Sequence, residues 1–129
     1  MGNPFAHIEL NTSHLGKAKA FYAKLFDWKI APYDGGDDYQ AIVTGKSSTG
    51  GGMQESPMPE APPAWLPYVL VADVKKSLAK AKKLGGKVML DYQPIGELGA
   101  IGIFTDPQGA ALGVWETAKK PKSKSKKKK

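Results

Sequence analysis

Three residues near the start of the chain have types and a spacing that suit acid–base or ligand chemistry. His7, Glu9 and Asn11 alternate with Ala6, Ile8 and Leu10 in the segment Phe5 to Asn11. A period of two is that of a strand, so the polar trio shares one face and the apolar trio the other. Successive members then stand about 6.5–7 Å apart, two residues of strand rise. An imidazole and a carboxylate at that distance can form an acid–base pair or hydrogen-bond a common ligand. The competing readings are that this face is solvated or that Glu9 pairs with a lysine. Other chemistry-bearing patterns are weak. Gly50-Gly51-Gly52 lacks the Gly-Lys-Ser/Thr ending of a phosphate loop and does not open onto a helix. The Asp34–Asp38 cluster lacks the closing Glu of a calcium loop and reads as a solvated turn. His14 is read as a surface residue without a role. With no cysteine, disulfides and thiolate metal sites are excluded.

The elements that must position these residues follow from periodicity. After the first strand, Thr12 or Ser13 can cap a helix over His14 to Phe26, with Leu15, Ala18, Phe21, Tyr22 and Leu25 as its apolar stripe. Strands are expected at Trp28 to Tyr33 and Tyr39 to Thr44, and a fourth near Gly50–Gly52, where glycines let another backbone or a ligand come close. Residues 55–64 hold four prolines and read as a stiff connector. The order then recurs. A strand is expected over Trp65 to Val71, and a helix over Val74 to Leu84 with Val74, Leu78, Ala81 and Leu84 inward, closed by Gly85-Gly86. Strands follow at Lys87 to Tyr92, Ala100 to Thr105 and Ala110 to Glu116, the last after the turn Asp106-Pro-Gln-Gly109. His14-Leu15 overlays Asp73-Val74 at a spacing of 59, and Thr44 and Gly52 overlay Thr105 and Gly113 at 61. In this overlay Tyr68 is the counterpart of Glu9, offering a hydroxyl and a ring face to a ligand or else serving as a core aromatic. Trp28, Trp65 and Trp115 are read as core or interface fillers. Met53 and Met58 suit an adaptable apolar pocket or ordinary packing.

The fold class is thus α+β: two βαβββ modules whose mixed sheet carries flanking helices. One domain is expected over residues 1–118, with module 1 about 5–54, the connector 55–64 and module 2 about 65–118. Residues 119–129 form a polylysine tail expected to be disordered. The tail holds eight of the 19 lysines, which leaves 11 against 12 acidic residues in the body, and there is no arginine. The net charge of +7 therefore belongs to the tail. That argues against nucleic-acid recognition by the folded body and leaves weak nonspecific polyanion contact to the tail. No apolar run approaches the roughly 18–20 residues of a membrane span, and no secretory signal is evident at the start, so no membrane insertion and a cytoplasmic location are expected.

Three stretches resemble the vicinal oxygen chelate superfamily of glyoxalases, bleomycin-resistance proteins and extradiol dioxygenases: HIELNTSHLGKAKAFYAKLFDWKI (7–30), WLPYVLVADVKKSLAKAKKLGGKV (65–88) and IFTDPQGAALGVWE (103–116). The resemblance implies a curved sheet from each module, the two together forming a cup-shaped mixed sheet. It also implies a homodimer and, in the enzymes, a divalent metal held by His, Glu or Gln from the first and last strand of each module. Carried onto this chain, those four positions fall on His7, Leu66, Gly52 and Gly113. Only His7 is a ligand type, and Gln54 and Glu116 are the nearest other donors. The metal site is therefore read as lost and no cofactor is expected, with His7 a ligand only if a metal is present. The expected function is metal-independent binding of a small organic molecule, with His7, Glu9, Asn11 and Tyr68 as polar contacts. The alternative is a glyoxalase-type lyase or isomerase, metal-dependent or using Glu9 as general base.

Overall fold

The computed structural model describes residues 2–33, 38–56 and 60–118. The Asp34–Asp38 turn (save Asp38), Met58, the centre of the proline-rich connector and the polylysine tail lie outside the described residues. In chain order the elements are β1 (Phe5–Thr12), α1 (Leu15–Leu25), β2 (Lys29–Pro32), β3 (Tyr39–Val43), β4 (Gly51–Glu55), β5 (Ala64–Leu70), α2 (Val74–Lys83), β6 (Lys87–Pro94), β7 (Ala100–Thr105) and β8 (Ala111–Glu116), with a short 3-10 turn at Gly96–Leu98. This is a mixed β-sheet architecture with flanking helices, in which a β-α-β repeat occurs twice. Every expected strand and both helices are present, with ends displaced by one or two residues except in β4, which runs on from Gly52 to Glu55. The chain divides into two compact units: Pro4–Val69, and the segment from Leu70 onward with residues 1–3.

In the first unit the strands lie in the order β2-β3-β4-β1-β5. β1 runs parallel to β4 and antiparallel to β5, while β3 is antiparallel to both β2 and β4. The parallel pair is possible because α1 carries the chain across the sheet between them. Leu10, Ile42 and Met53 form the buried core, and Leu15, Ala18, Tyr22, Trp28 and Ile30 pack against it. Met53 is fully buried there, so of its two expected uses packing is the one realised. The stripe of α1 is narrower than its sequence suggests, for Phe21 and Leu25 are more than half exposed. At 100° per residue Leu15, Ala18 and Tyr22 fall within about 60° of one another, whereas Phe21 lies roughly 95° from their centre. Tyr22, Phe26, Trp28 and Trp65 nevertheless form a continuous aromatic cluster, with Phe26 and Trp28 at 4.7 Å and Tyr22 and Trp65 at 5.4 Å between ring centroids.

In the second unit β8-β7-β6 is an antiparallel run covered by α2. Val74, Leu78 and Val114 are its core, flanked by Val71, Val88, Tyr92 and Phe104. Gly102 on β7 is where α2 lies closest, since a Cβ there would stand 2.7 Å from the Leu78 side chain. The expected glycine stop is a full Schellman motif: Gly86 N–H donates to Ala81 O, Gly85 N–H to Lys82 O, and Gly85 takes φ +100°. Leu84 is the C-cap residue and stays 70% exposed, so it drops out of the inward stripe. The Asp106 turn is tied by its own carboxylate, which accepts from the Gln108 and Ala110 amides. No helix among the described residues is long and apolar enough to cross a membrane.

The helix starts differ from expectation. Neither Thr12 nor Ser13 occupies the N-cap of α1. That position is His14, whose side chain makes no capping bond. Instead Glu55, at the end of β4, accepts from the Leu15 amide at 3.4 Å. In α2 the Asp73 side chain caps the Lys76 amide, and Glu116, at the end of β8, accepts from the Val74 amide at 2.7 Å. Glu55 and Glu116 are thus equivalent in the repeat: the last strand of each half supplies the carboxylate that meets the positive start of its own helix. Glu116 is a buried structural acceptor, which gives this donor a use unconnected with ligand binding. Glu116→Ala leaves the wholly buried Val74 amide unpaired and is expected to cost about 2 kcal/mol in urea denaturation. Glu55→Ala, at an exposed and longer contact, should cost no more than about 0.5 kcal/mol.

Candidate functional site

The site is built on the face of β1 opposite Leu10. Alternation puts Leu10 into the core and Glu9 on the other side, and both are buried, at 5% and 9% exposure. β1 has partners on both edges: Glu9 is paired with Gly52 of β4 on one and with Leu66 of β5 on the other, and His7 is opposite Tyr68. Side chains one diagonal step apart on neighbouring strands can touch when one is long and aromatic. Tyr68 uses that step, and its hydroxyl donates to Glu9 Oε1 at 3.1 Å. Asn11 Nδ2 makes a longer contact to the same oxygen at 3.4 Å and is itself held by Gln54 Nε2 on β4 at 2.9 Å.

The other carboxylate oxygen is met by a residue that the sequence does not single out. Tyr39 opens β3, two strands away from β1, and its hydroxyl donates to Glu9 Oε2 at 3.0 Å. Its oxygen lies 2.7 Å from His7 Nε2. Since the single phenol proton goes to Glu9, His7 Nε2–H is the donor to Tyr39. What lets the ring reach across β4 is Gly52: a Cβ there would collide with the Tyr39 hydroxyl. Next to it, Gly51 admits the Ile8 carbonyl at a similarly close approach. The sequence expectation of close approach at Gly50–Gly52 therefore holds at both positions, with a backbone at one and a tyrosine at the other. The only sequence signal for Tyr39 is a ring-bearing residue at a strand start beside a run of glycines, and it becomes decisive only with the register Ala41 to Gly52.

The four expected residues, His7, Glu9, Asn11 and Tyr68, are brought together, with Tyr39 and Gln54 added. Burial pushes the Glu9 carboxyl above its ordinary value, and the bonds from Tyr39, Tyr68 and Asn11 oppose that rise. Burial and the Glu9 charge drive both phenols far up, so they remain protonated donors. His7 is lowered by burial and is neutral at physiological pH. The donor set does not fit the divalent ion implied by the resemblance. Such an ion needs several nitrogen or oxygen ligands, and among the described residues no group of three or more His, Cys, Asp or Glu is present. His7 Nε2 and both Glu9 oxygens already bond side chains, and the Tyr39 ring lies over Gly52.

The comparisons with known proteins agree with this architecture. Residues 5–114 match the Glyoxalase/Bleomycin resistance protein/Dioxygenase superfamily. The chain belongs to that superfamily. A Mycobacterium tuberculosis protein named "Putative glyoxylase CFP32" and its Mycobacterium bovis counterpart are each 34% identical over 114 residues, covering 84% of this chain. The chain spans less than half of their length, 44%. Among solved structures, methylmalonyl-CoA epimerase from Mycobacterium tuberculosis aligns with a TM-score of 0.67 at 13% identity, over 89% of this chain and 88% of the epimerase. An extradiol ring-cleaving dioxygenase from B. fuscum aligns at 0.64 and 16% identity, over 89% of this chain and 32% of the dioxygenase. At such identities the likeness speaks for the superfamily fold alone.

Two outcomes follow from this geometry. Gly52→Ala drives a methyl into the Tyr39 hydroxyl and should cost about 1–3 kcal/mol, a penalty largely relieved in a Tyr39→Ala background, as a double-mutant cycle of urea midpoints would show. The pH dependence has a defined sign. A raised Glu9 pKa means that the folded protein keeps this proton to higher pH than the unfolded chain does. Stability from Glu9 is full below its ordinary value of 4.5 and falls as pH rises to the raised value. His7, lowered from 6.5, contributes above that value and loses its contribution as pH falls to the lowered one. Glu9→Gln should remove the first fall and leave the second, in denaturation midpoints followed from about pH 4 to about pH 7.5.

Proposed function

We propose that this member of the glyoxalase/bleomycin-resistance/dioxygenase superfamily binds a small organic molecule at the Glu9 face of β1, without a catalytic metal. The observation that carries the reading is the nearly buried Glu9 carboxylate, fixed by Tyr39 and Tyr68 and adjoined by His7. A buried polar cluster of this kind costs stability unless it is kept satisfied, and convergent polar groups among aromatic rings are what orient a ligand. His7, Glu9, Asn11 and Tyr68 supply the polar contacts in this reading, and Tyr39 joins them. A second reading is favoured by the raised proton affinity of Glu9 and by the glyoxylase name of the mycobacterial relatives. In it Glu9 is the general base of a glyoxalase-type lyase or isomerase.

A fragment screen followed by NMR on protein kept in chelator tests the first reading. Ligands should shift the His7, Tyr39 and Tyr68 resonances without added metal. Stoichiometric divalent metal in protein purified without chelator, or binding that appears only on adding such an ion, would overturn it. Turnover of a methylglyoxal–thiol adduct, abolished by Glu9→Gln, would move the conclusion to the second reading.

A further inference from the structure

Among the described residues the Glu9 carboxylate has hydrogen-bond donors but no lysine beside it. Its neighbours on every strand packed against it are neutral: His7 and Asn11 on β1, Tyr39 on β3, Gly52 and Gln54 on β4, and Tyr68 on β5. No lysine is among the groups that perturb it. A carboxylate offers about four acceptor positions. Three are taken, two on Oε1 and one on Oε2. Neutral donors satisfy hydrogen bonding but leave the charge itself uncompensated, and a withdrawn charge without an opposite partner is costly.

The surroundings are also aromatic. The His7 ring stacks with Tyr39 at 6.4 Å between centroids and is tilted to Tyr68 at 6.1 Å. Tyr33 meets Tyr39 edge-on at 6.5 Å and is 42% exposed, which places it at the rim. Rings grouped round one carboxylate are the surroundings in which organic ammonium groups are recognised, since π-faces attract a cation that has shed its water. An anionic ligand would be repelled by Glu9, and a neutral one would leave the charge unmatched.

From this arrangement we infer that the ligand class of the Glu9 site is an organic cation, a protonated amine or quaternary ammonium carried on an apolar body. The inference rests on the ligand-binding reading above and names its chemistry. In this assignment the ammonium pairs with the Glu9 charge beside Tyr39 and Tyr68, whose hydroxyls stay on the carboxylate, and its apolar part extends toward the exposed Tyr33. Binding would then weaken as pH falls through the raised Glu9 titration, because the protonated carboxyl no longer attracts the cation, while His7 becomes a competing positive charge.

The test uses the full chain and three probes of one shape: benzyltrimethylammonium, benzyl alcohol and benzoate, titrated by NMR. The ammonium should perturb the Tyr39 and Tyr68 rings with a Kd at least about tenfold below those of the other two. Glu9→Gln should erase that preference, and acid should weaken it. Where the Gln variant does not give a folded spectrum, the probe series on the parent protein decides. Benzyl alcohol or benzoate binding at the same rings as tightly as the ammonium would overturn the cation assignment while leaving ligand binding intact. If neither these probes nor the wider fragment screen perturbs the rings, the binding reading itself fails.

Discussion

A carboxylate withdrawn from water must have its lone pairs met, and the way this is done at Glu9 organises the first half of the molecule. Two phenols and an amide donate to it, from three different strands. Each contact demands a register: Tyr68 must sit one diagonal step along β5, and Tyr39 must cross a strand that is glycine at the crossing point. A shift of one residue in β1 would turn Glu9 into the hydrophobic core and Leu10 out of it. The site and the core are therefore two faces of one constraint, with Leu10, Ile42 and Met53 behind the strand and the polar cluster in front.

The same logic separates the two kinds of carboxylate in the chain. Glu116 and Glu55 lie at strand ends and face helix starts, where backbone amides already lack partners. Their task ends there, and it recurs once in each half because each half must launch a helix from the edge of its own sheet. Glu9 lies mid-strand among side-chain donors, away from any helix terminus. There it accepts from Tyr39, Tyr68 and Asn11 and ties three strands together.

Tyr39 and Gly52 show how one glycine in a strand lets a side chain from the neighbouring strand reach a third. The glycine, empty of any side chain, is where a neighbouring ring comes to rest. The ring then delivers one hydroxyl to Glu9 and takes one bond from His7, so the imidazole that resembles a metal ligand is engaged in a hydrogen-bond chain.

Much of this was legible in the residues alone. Period-two alternation at Phe5–Asn11 determined which residues share a face. The recurrence of helix and turn signals at spacings of 59 and 61 determined the repeated order, and the glycine pair after Leu84 determined where the second helix stops. These are local properties, set by backbone geometry within a few residues. The partners of Glu9 were not local: Tyr39 lies 30 residues away and Tyr68 lies 59 away, and their meeting depends on strand order and register. The width of the buried stripe on α1 and the use of Glu116 as a cap were likewise decided by which sheet surface each element faced. Sequence spacing specifies what one strand or helix presents, but only the tertiary structure brings side chains from separate strands within the 3 Å at which a hydrogen bond forms.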